Sequence, residues 1–297
     1  MTQLAEHLAT LSPEKRRLLE LRLRKQGVDV LQLPIVPQKR DIRAFPLSFA
    51  QQRLWFLDQW APGNPFYNIP NALRVTGKLH TAALEQSLNH IVRRHEALRI
   101  TYTAADGQPF QVISPTLAVP LAIADLRELS ETARDAEGLR LTAEEAQRAF
   151  DLTRGPLLRI TLLRLDEHEH VLLLTMHHII ADGWSMGILV WEVMALYEAF
   201  STGTPPSLPE LPIQYIDFAA WQRQWFQESR LEARLTYWKQ QLGGSPPVLA
   251  LPTDRPRPAV NAFRGACQTF AFPPALTAGL KALSEQVGVT LFMGLRG

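Results

Sequence analysis

Apolar residues recur along the chain with two periods. From Thr81 to Arg99, Leu84, Leu88, Ile91, His95 and Leu98 fall at spacings of 4, 3, 4 and 3, one face of a helix. Ser48 to Trp60, Thr142 to Phe150, Ser185 to Phe200 and the aromatic-rich stretch Gln214 to Leu242 also read as helices. Ala72 to Lys78 reads as a strand. Leu98 to Thr103 and Gln108 to Ser114 flank Ala-Asp-Gly and read as a hairpin. Leu157 to Leu165 and Val171 to His178 are strands joined by the polar turn Asp166-Glu167-His168-Glu169. The second is continuously apolar, as a strand buried on both faces must be. A strand-like piece after Phe263 and a helix from Pro274 to Val287 close the chain. Interleaved helices and strands without an internal repeat predict α/β layers.

Prolines punctuate this pattern at residues 33–37, 204–212 and 245–258. Before the first of them, Ser12 is a helix cap, Pro13 and Glu14 suit a first turn, Gly27 is a stop, and Leu18, Leu19, Leu21 and Leu23 give an apolar side. Residues 1–43 hold nine basic and five acidic residues, whereas the remainder holds 22 and 24. The net charge of +2 therefore belongs to a basic helical leader, residues 1–40, and the body is slightly acidic. No overall field suits nucleic acid or an anionic membrane. No run of 18 apolar residues predicts a membrane span, no export signal is visible, and a cytoplasmic location is expected. A single cysteine, Cys267, allows no internal disulfide or cysteine-cluster zinc site and reads as a small core residue.

Candidate chemistry concentrates in Met176-His177-His178-Ile179-Ile180-Ala181-Asp182-Gly183-Trp184-Ser185. Neighbours on a strand point to opposite faces, so one histidine can be locked in the core while the other faces a cleft. The free imidazole can orient or deprotonate an amine or hydroxyl nucleophile. Asp182 is either a turn-former or the partner of a distant arginine that fixes the loop. Gly183 lets the backbone come close before a helix N-terminus, whose N–H groups can stabilise an oxyanion. Strand alternation opposes a metal site built from His177, His178 and Asp182, and His168 and His170 sit at a polar turn. Gly183-Trp184-Ser185-Met186-Gly187 is a literal G-x-S-x-G, but all eight histidines precede Ser185, the reverse of a hydrolase triad. Ser185 reads instead as the cap of the following helix.

These residues spell HHxxxDG, and four stretches together resemble nonribosomal peptide synthetase condensation domains. Pro46 to Leu57 (PLSFAQQRLWFL) is similar to the first core motif and Arg94 to Arg99 (RHEALR) to the second. Met176 to Ser185 is similar to the third and Tyr215 to Gln222 (YIDFAAWQ) to the fourth. HHIIADGWS, with YNIP upstream, resembles the subtype joining two L-configured residues. The resemblance implies an α/β fold of the chloramphenicol acetyltransferase-like two-layer sandwich type. The N-terminal lobe would span 41–212, and 213–297 would hold crossover helices and an incomplete C-terminal lobe.

The implied reaction joins two thioesters, each carried on the phosphopantetheine arm of a carrier domain: the acceptor amine attacks the donor carbonyl. His178 would be catalytic and His177 structural. Asp182 would pair with Arg94 or Arg99, and Gly183 would keep space beside the amine. No cofactor or metal is bound directly, and the partners are carrier domains and an adjacent adenylation domain or module. An epimerisation domain also carries HHxxxDG, but the first and fourth motifs favour condensation. The resemblance runs to Thr290-Leu291-Phe292-Met293 without the fifth to seventh motifs. An inactive truncated remnant, or a fragment that only contacts carrier proteins, is therefore the alternative.

Overall fold

The structure, a computed structural model, describes residues 35–40, 44–226, 228–244, 251–256 and 268–296, with Lys15, Leu18, Leu19 and Arg22 before them. Those four are helical, while the rest of the leader helix and Cys267 lie outside the described residues. The chain divides into two compact units, residues 1–247 and 248–297.

Two sheets build the first unit. The smaller has the order β1-β4-β3, with β1 Ala44–Pro46, β3 Ile100–Ala105 and β4 Gln108–Ile113, all antiparallel. Asp106 and Gly107, both at positive φ, make the expected two-residue turn between β3 and β4. The larger has the order β2-β7-β6-β5, with β2 Asn68–Thr76, β5 Ala122–Asp125, β6 Leu158–Arg164 and β7 Glu169–His177. Only β5 and β6 run parallel.

The continuous apolar run of β7 is explained by cover on both faces. Leu172, Leu174 and Met176 point into one cluster with Leu158, Ile160 and Leu162 of β6. That cluster is closed by Leu84, Leu88 and Ile91 of α2 (Thr81–Arg94) and by Leu189 and Leu196 of α4 (Gly183–Thr202). On the opposite face Leu173 meets Leu126 and Leu163, with Leu141 of α3 (Glu131–Gln147) packed against them. A third cluster joins the small sheet to α1 (Phe49–Trp60) through Phe45, Leu54, Ile100 and Tyr102, and reaches Ile179 and Ile216.

Several boundaries differ from the sequence pattern. The apolar face of α2 continues to Leu98, yet the helix ends at Arg94 and a 3₁₀ turn follows over Glu96–Arg99. A neighbouring segment takes over there: the Gln214 side chain donates to the Arg94 carbonyl and accepts from the Glu96 N–H, both at 3.0 Å. Helix α3 starts at Glu131, eleven residues before the expected start, and stops at Gln147. It has no fully buried residue, so its first turns carry no strong apolar signal. The stretch 214–242 is two helices, α5 Tyr215–Trp225 and α6 Glu228–Gln241. Ile216 of α5, in the segment expected to hold crossover helices, is fully buried in the core of the first unit. In the second unit α7 spans Pro274–Val287 as expected, α8 spans Leu291–Arg296, and residues 268–273 are coil rather than strand.

Leu162 is fully buried at the centre of the larger cluster. Leu162→Ala is expected to cost about 2–5 kcal/mol, read as a lower urea midpoint with an unchanged slope.

Candidate functional site

Strand β7 delivers two histidines to opposite environments. His177, its last residue, is 3% exposed and lies between the rings of Tyr67 and Phe150, each centroid 6.2 Å away. Its Nδ1 accepts the Ile179 N–H at 3.1 Å, which places the ring proton on Nε2. Burial, with the neighbouring His178 as a smaller cause, pushes its pKa down to about 4, so the ring is neutral at pH 7.

His178 is exposed. Its Nδ1–H donates to the Ala181 carbonyl at 2.9 Å, which leaves the Nε2 lone pair unengaged. Its backbone N–H donates to Tyr67 O at 2.7 Å. The loop that carries it is anchored from below. The buried Tyr102 hydroxyl donates to the Ile179 carbonyl at 3.2 Å and accepts from Gln51 Nε2 at 2.9 Å. Gln51 is the third residue of a capping box with Ser48 and also bonds Gln111. Burial raises the Tyr102 pKa, so the phenol stays protonated and keeps its donor. The PLSFAQQ stretch therefore supports the histidine loop through a buried polar chain.

Asp182 caps α4. Its Oδ1 accepts the Ser185 N–H at 2.8 Å and the Ser185 hydroxyl at 2.6 Å, and those bonds hold the carboxyl below its ordinary pKa. The cap is thus Asp182 and not Ser185, and the hydroxyl of the G-x-S-x-G pattern is tied to a carboxylate. The Ser185 N–H is engaged by Asp182, which removes it as an oxyanion donor. A Cβ built on Gly183 meets nothing within 4 Å, so the space beside it is open.

The pairing implied for Asp182 with Arg94 or Arg99 is not formed. Arg94 Nε donates to Glu192 Oε1 at 3.0 Å and its Nη2 to Pro209 O at 2.5 Å. His95 Nε2 lies 2.5 Å from the other Glu192 oxygen. Glu192 is buried on α4, on the same face as Leu189, Leu196 and Ala199. Arg99 points elsewhere, onto the carbonyls of Val92, Ser114 and Pro115. The arginines of the second motif are consequently braces: one ties α2 to α4, the other ties the end of α2 to β4. Sequence reasoning missed Glu192, although a carboxylate at helical spacing among apolar residues was a legible signal. Beside the loop lies a cavity of about 230 Å³ lined by His95, Met176, Ala181, Ser185, Ile188 and Gln214, among others. Among the described residues no group of histidines, cysteines and carboxylates can hold a metal, and no helix is long and apolar enough to cross a membrane.

A family model for the condensation domain matches residues 42–296. The chain belongs to the condensation-domain family. It is 52% identical over 262 residues to a polypeptide of the linear gramicidin synthase of Brevibacillus parabrevis, covering 88% of this chain and 3% of that protein. It is 48% identical over 297 residues to phosphinothricin tripeptide synthetase PhsC of Streptomyces viridochromogenes, covering 99% of this chain and 27% of that protein. The chain thus spans a small part of the curated relatives it matches. The X-domain from teicoplanin biosynthesis superposes with a TM-score of 0.71 at 30% identity, covering 86% of this chain and 56% of that one. The starter condensation domain of rhizomide synthetase RzmA, at 23% identity and a TM-score of 0.60 over 68% of this chain and 48% of that one, shares the fold. The α/β architecture expected from the motifs, of the chloramphenicol acetyltransferase-like type, is therefore the one present.

Two outcomes follow from this geometry. Glu192→Ala leaves the Arg94 guanidinium without its carboxylate in a place where it is 12% exposed, and is expected to cost about 3–5 kcal/mol in denaturant unfolding. His177 has its folded pKa below its unfolded one, so the stability tied to its neutral form is present above about pH 6.5 and is lost as pH falls toward 4. The loss is about 3 kcal/mol across that window, and stability measured from pH 7 to 4 should be flatter in His177→Gln.

Proposed function

We propose that this chain carries the histidine of an amide-forming acyl transfer between two carrier-bound thioesters in nonribosomal peptide synthesis. The observation that carries the reading is the His178 ring: exposed, oriented by Ala181 O through Nδ1–H, and open at Nε2. A free α-amine titrates near pH ~8, so the acceptor needs alignment and removal of one proton rather than strong activation. Its N–H would donate to His178 Nε2 while its lone pair attacks the donor carbonyl. As the C–N bond forms, the imidazole takes the proton. As the C–S bond breaks, the imidazolium returns that proton to the departing thiolate of the donor arm. The open space beside Gly183 is where the amine would enter.

In this reading no cofactor binds the chain itself. Its substrates arrive on the phosphopantetheine of carrier domains, and an adenylation domain or module supplies the loaded carriers. Membership in the condensation-domain family supports these partners, and a cytoplasmic setting goes with them. His177, Arg94 and Arg99 act as supports, and Asp182 holds the start of α4.

The test uses the whole chain with carrier domains loaded with a panel of L-aminoacyl groups, and follows dipeptidyl thioester by mass spectrometry. His178→Ala is expected to lower the rate at least ~100-fold, the lower range for a lost general base. Unchanged product formation in His178→Ala overturns the site assignment. No product from the unsubstituted chain with any pair overturns the catalytic reading.

A further inference from the structure

At the end of the larger sheet opposite His178, a polar cleft of about 380 Å³ opens between the β2–α2 connection and the β6–β7 turn. Lys78, Arg127, Arg164, His168 and His170 line it, with Asp166 and Glu167 at the turn. Along β7, His170 and His178 are eight residues apart, roughly 26 Å at ~3.3 Å per residue. The cleft is therefore separate from the site described above. Its floor is fixed, because Gly77 N–H donates to His168 O at 2.8 Å and pins the end of β2 to the turn.

The groups facing this cleft are oversupplied with donors. Arg127 is aligned by Asp125, with Nε to Oδ1 at 2.8 Å and Nη2 to Oδ2 at 2.6 Å, which leaves Nη1 over. The Arg164 guanidinium is half-buried and makes no hydrogen bond or ion pair of its side chain among the described residues. Lys78 is exposed and likewise unpaired. Of the carboxylates, Asp125 is taken by Arg127, Asp166 accepts the Glu167 N–H of its own turn at 2.5 Å, and both Asp166 and Glu167 attract Arg127, so Arg164 and Lys78 are the cations left over. His170 supplies the decisive observation. It is 4% exposed, and its Nδ1 is buried with no hydrogen-bond partner. A buried polar atom without a partner costs free energy. Burial, then the nearby Arg164, Arg127 and His168, depress its pKa against a smaller opposing bond to the Val75 backbone.

We propose that this cleft is a binding site for a phosphate-class oxyanion, free or as a small phosphomonoester. Arg164 and Lys78 supply charge-assisted hydrogen bonds, and Arg127 the contact of its free Nη1 side. His170, which also lines the cleft, would face the bound anion at the base of the site. The volume exceeds that of one phosphate, so a monoester can keep its organic group in the open part of the cleft. Asp166 and Glu167 at the turn limit the charge the site tolerates and disfavour a polyanion.

The experiment titrates the whole chain at low ionic strength with inorganic phosphate and, separately, with phosphoethanolamine. Calorimetry reads affinity and histidine NMR reads the His170 imidazole. Saturable one-site binding is expected, with an upward shift of the His170 titration when phosphate is bound. Arg164→Met and the solvent-facing Lys78→Met should each weaken binding at least tenfold, while His178→Ala leaves it within twofold. Tighter binding of phosphoethanolamine identifies an ester as the occupant, and equal or weaker binding identifies the free ion. Absence of saturable binding at about 10 mM of either probe, beyond the millimolar range of weak specific affinities, overturns the proposal. So does binding that survives Lys78→Met unchanged, because that exposed side chain cannot be lost to misfolding.

Discussion

The rest of the site depends on one constraint: the last residue of β7 is buried where an imidazole cannot carry a charge. A neutral His177 must place its proton on one nitrogen, and the Ile179 N–H fixes which one by donating to Nδ1. That bond folds the chain back immediately after the strand. His178 is thereby turned out to solvent, its own Nδ1–H meets the Ala181 carbonyl, and Nε2 is left open. A charged His177 would lose this acceptor and bring a buried cation beside His178. The depressed pKa and the tautomer of the exposed ring are two consequences of the same burial.

Around this turn the polar groups form buried braces. Gln51 and Tyr102 reach the Ile179 carbonyl from α1 and β3. Glu192 draws Arg94 and His95 onto α4, while Gln214 ends α2 by substituting for its next hydrogen bonds. Isolated buried charges would be expensive, and Glu192 is tolerated because both its oxygens are engaged. One brace holds the histidine loop at Ile179, and another holds the middle of α4 at Glu192. A motif arginine can therefore matter to the site without touching it, by fixing the helix that carries it.

Much of this was legible before the fold was known. The unbroken apolar run of β7 announced a strand covered on both faces, and the adjacent histidines could only diverge. The helix start at Ser48 and the turn at Asp106-Gly107 are local, and local chemistry reads well from sequence. What escaped was set by distant partners. Helix α2 stops five residues early because Gln214, 120 residues on in the chain, takes the Arg94 carbonyl. Helix α3 buries no residue completely, so its first turns lack the periodicity that reveals a helix. The partner of Asp182 was sought far away among arginines, whereas the nearest donors were its own helix N–H groups and Ser185. Glu192 carried the opposite lesson, a charged residue on a buried stripe that has to find cations wherever the fold puts them.

Strand β7 also explains why one sheet can hold two unlike polar sites. Histidines at positions 170 and 177 are both buried, but the strand between them is filled by Val171, Leu172, Leu173, Leu174, Thr175 and Met176, packed on both faces. His177 has its Nδ1 satisfied by the turn it creates, so it needs nothing from outside. His170 has no such turn to close on, since the chain before it leaves through Asp166 to His168 and bonds to the end of β2 instead. Its Nδ1 stays without a partner in the protein. Identical side chains at the two ends of one rigid strand are thus made different by the loops that leave it: one is satisfied by the turn it creates, and the other is left with an unpaired nitrogen.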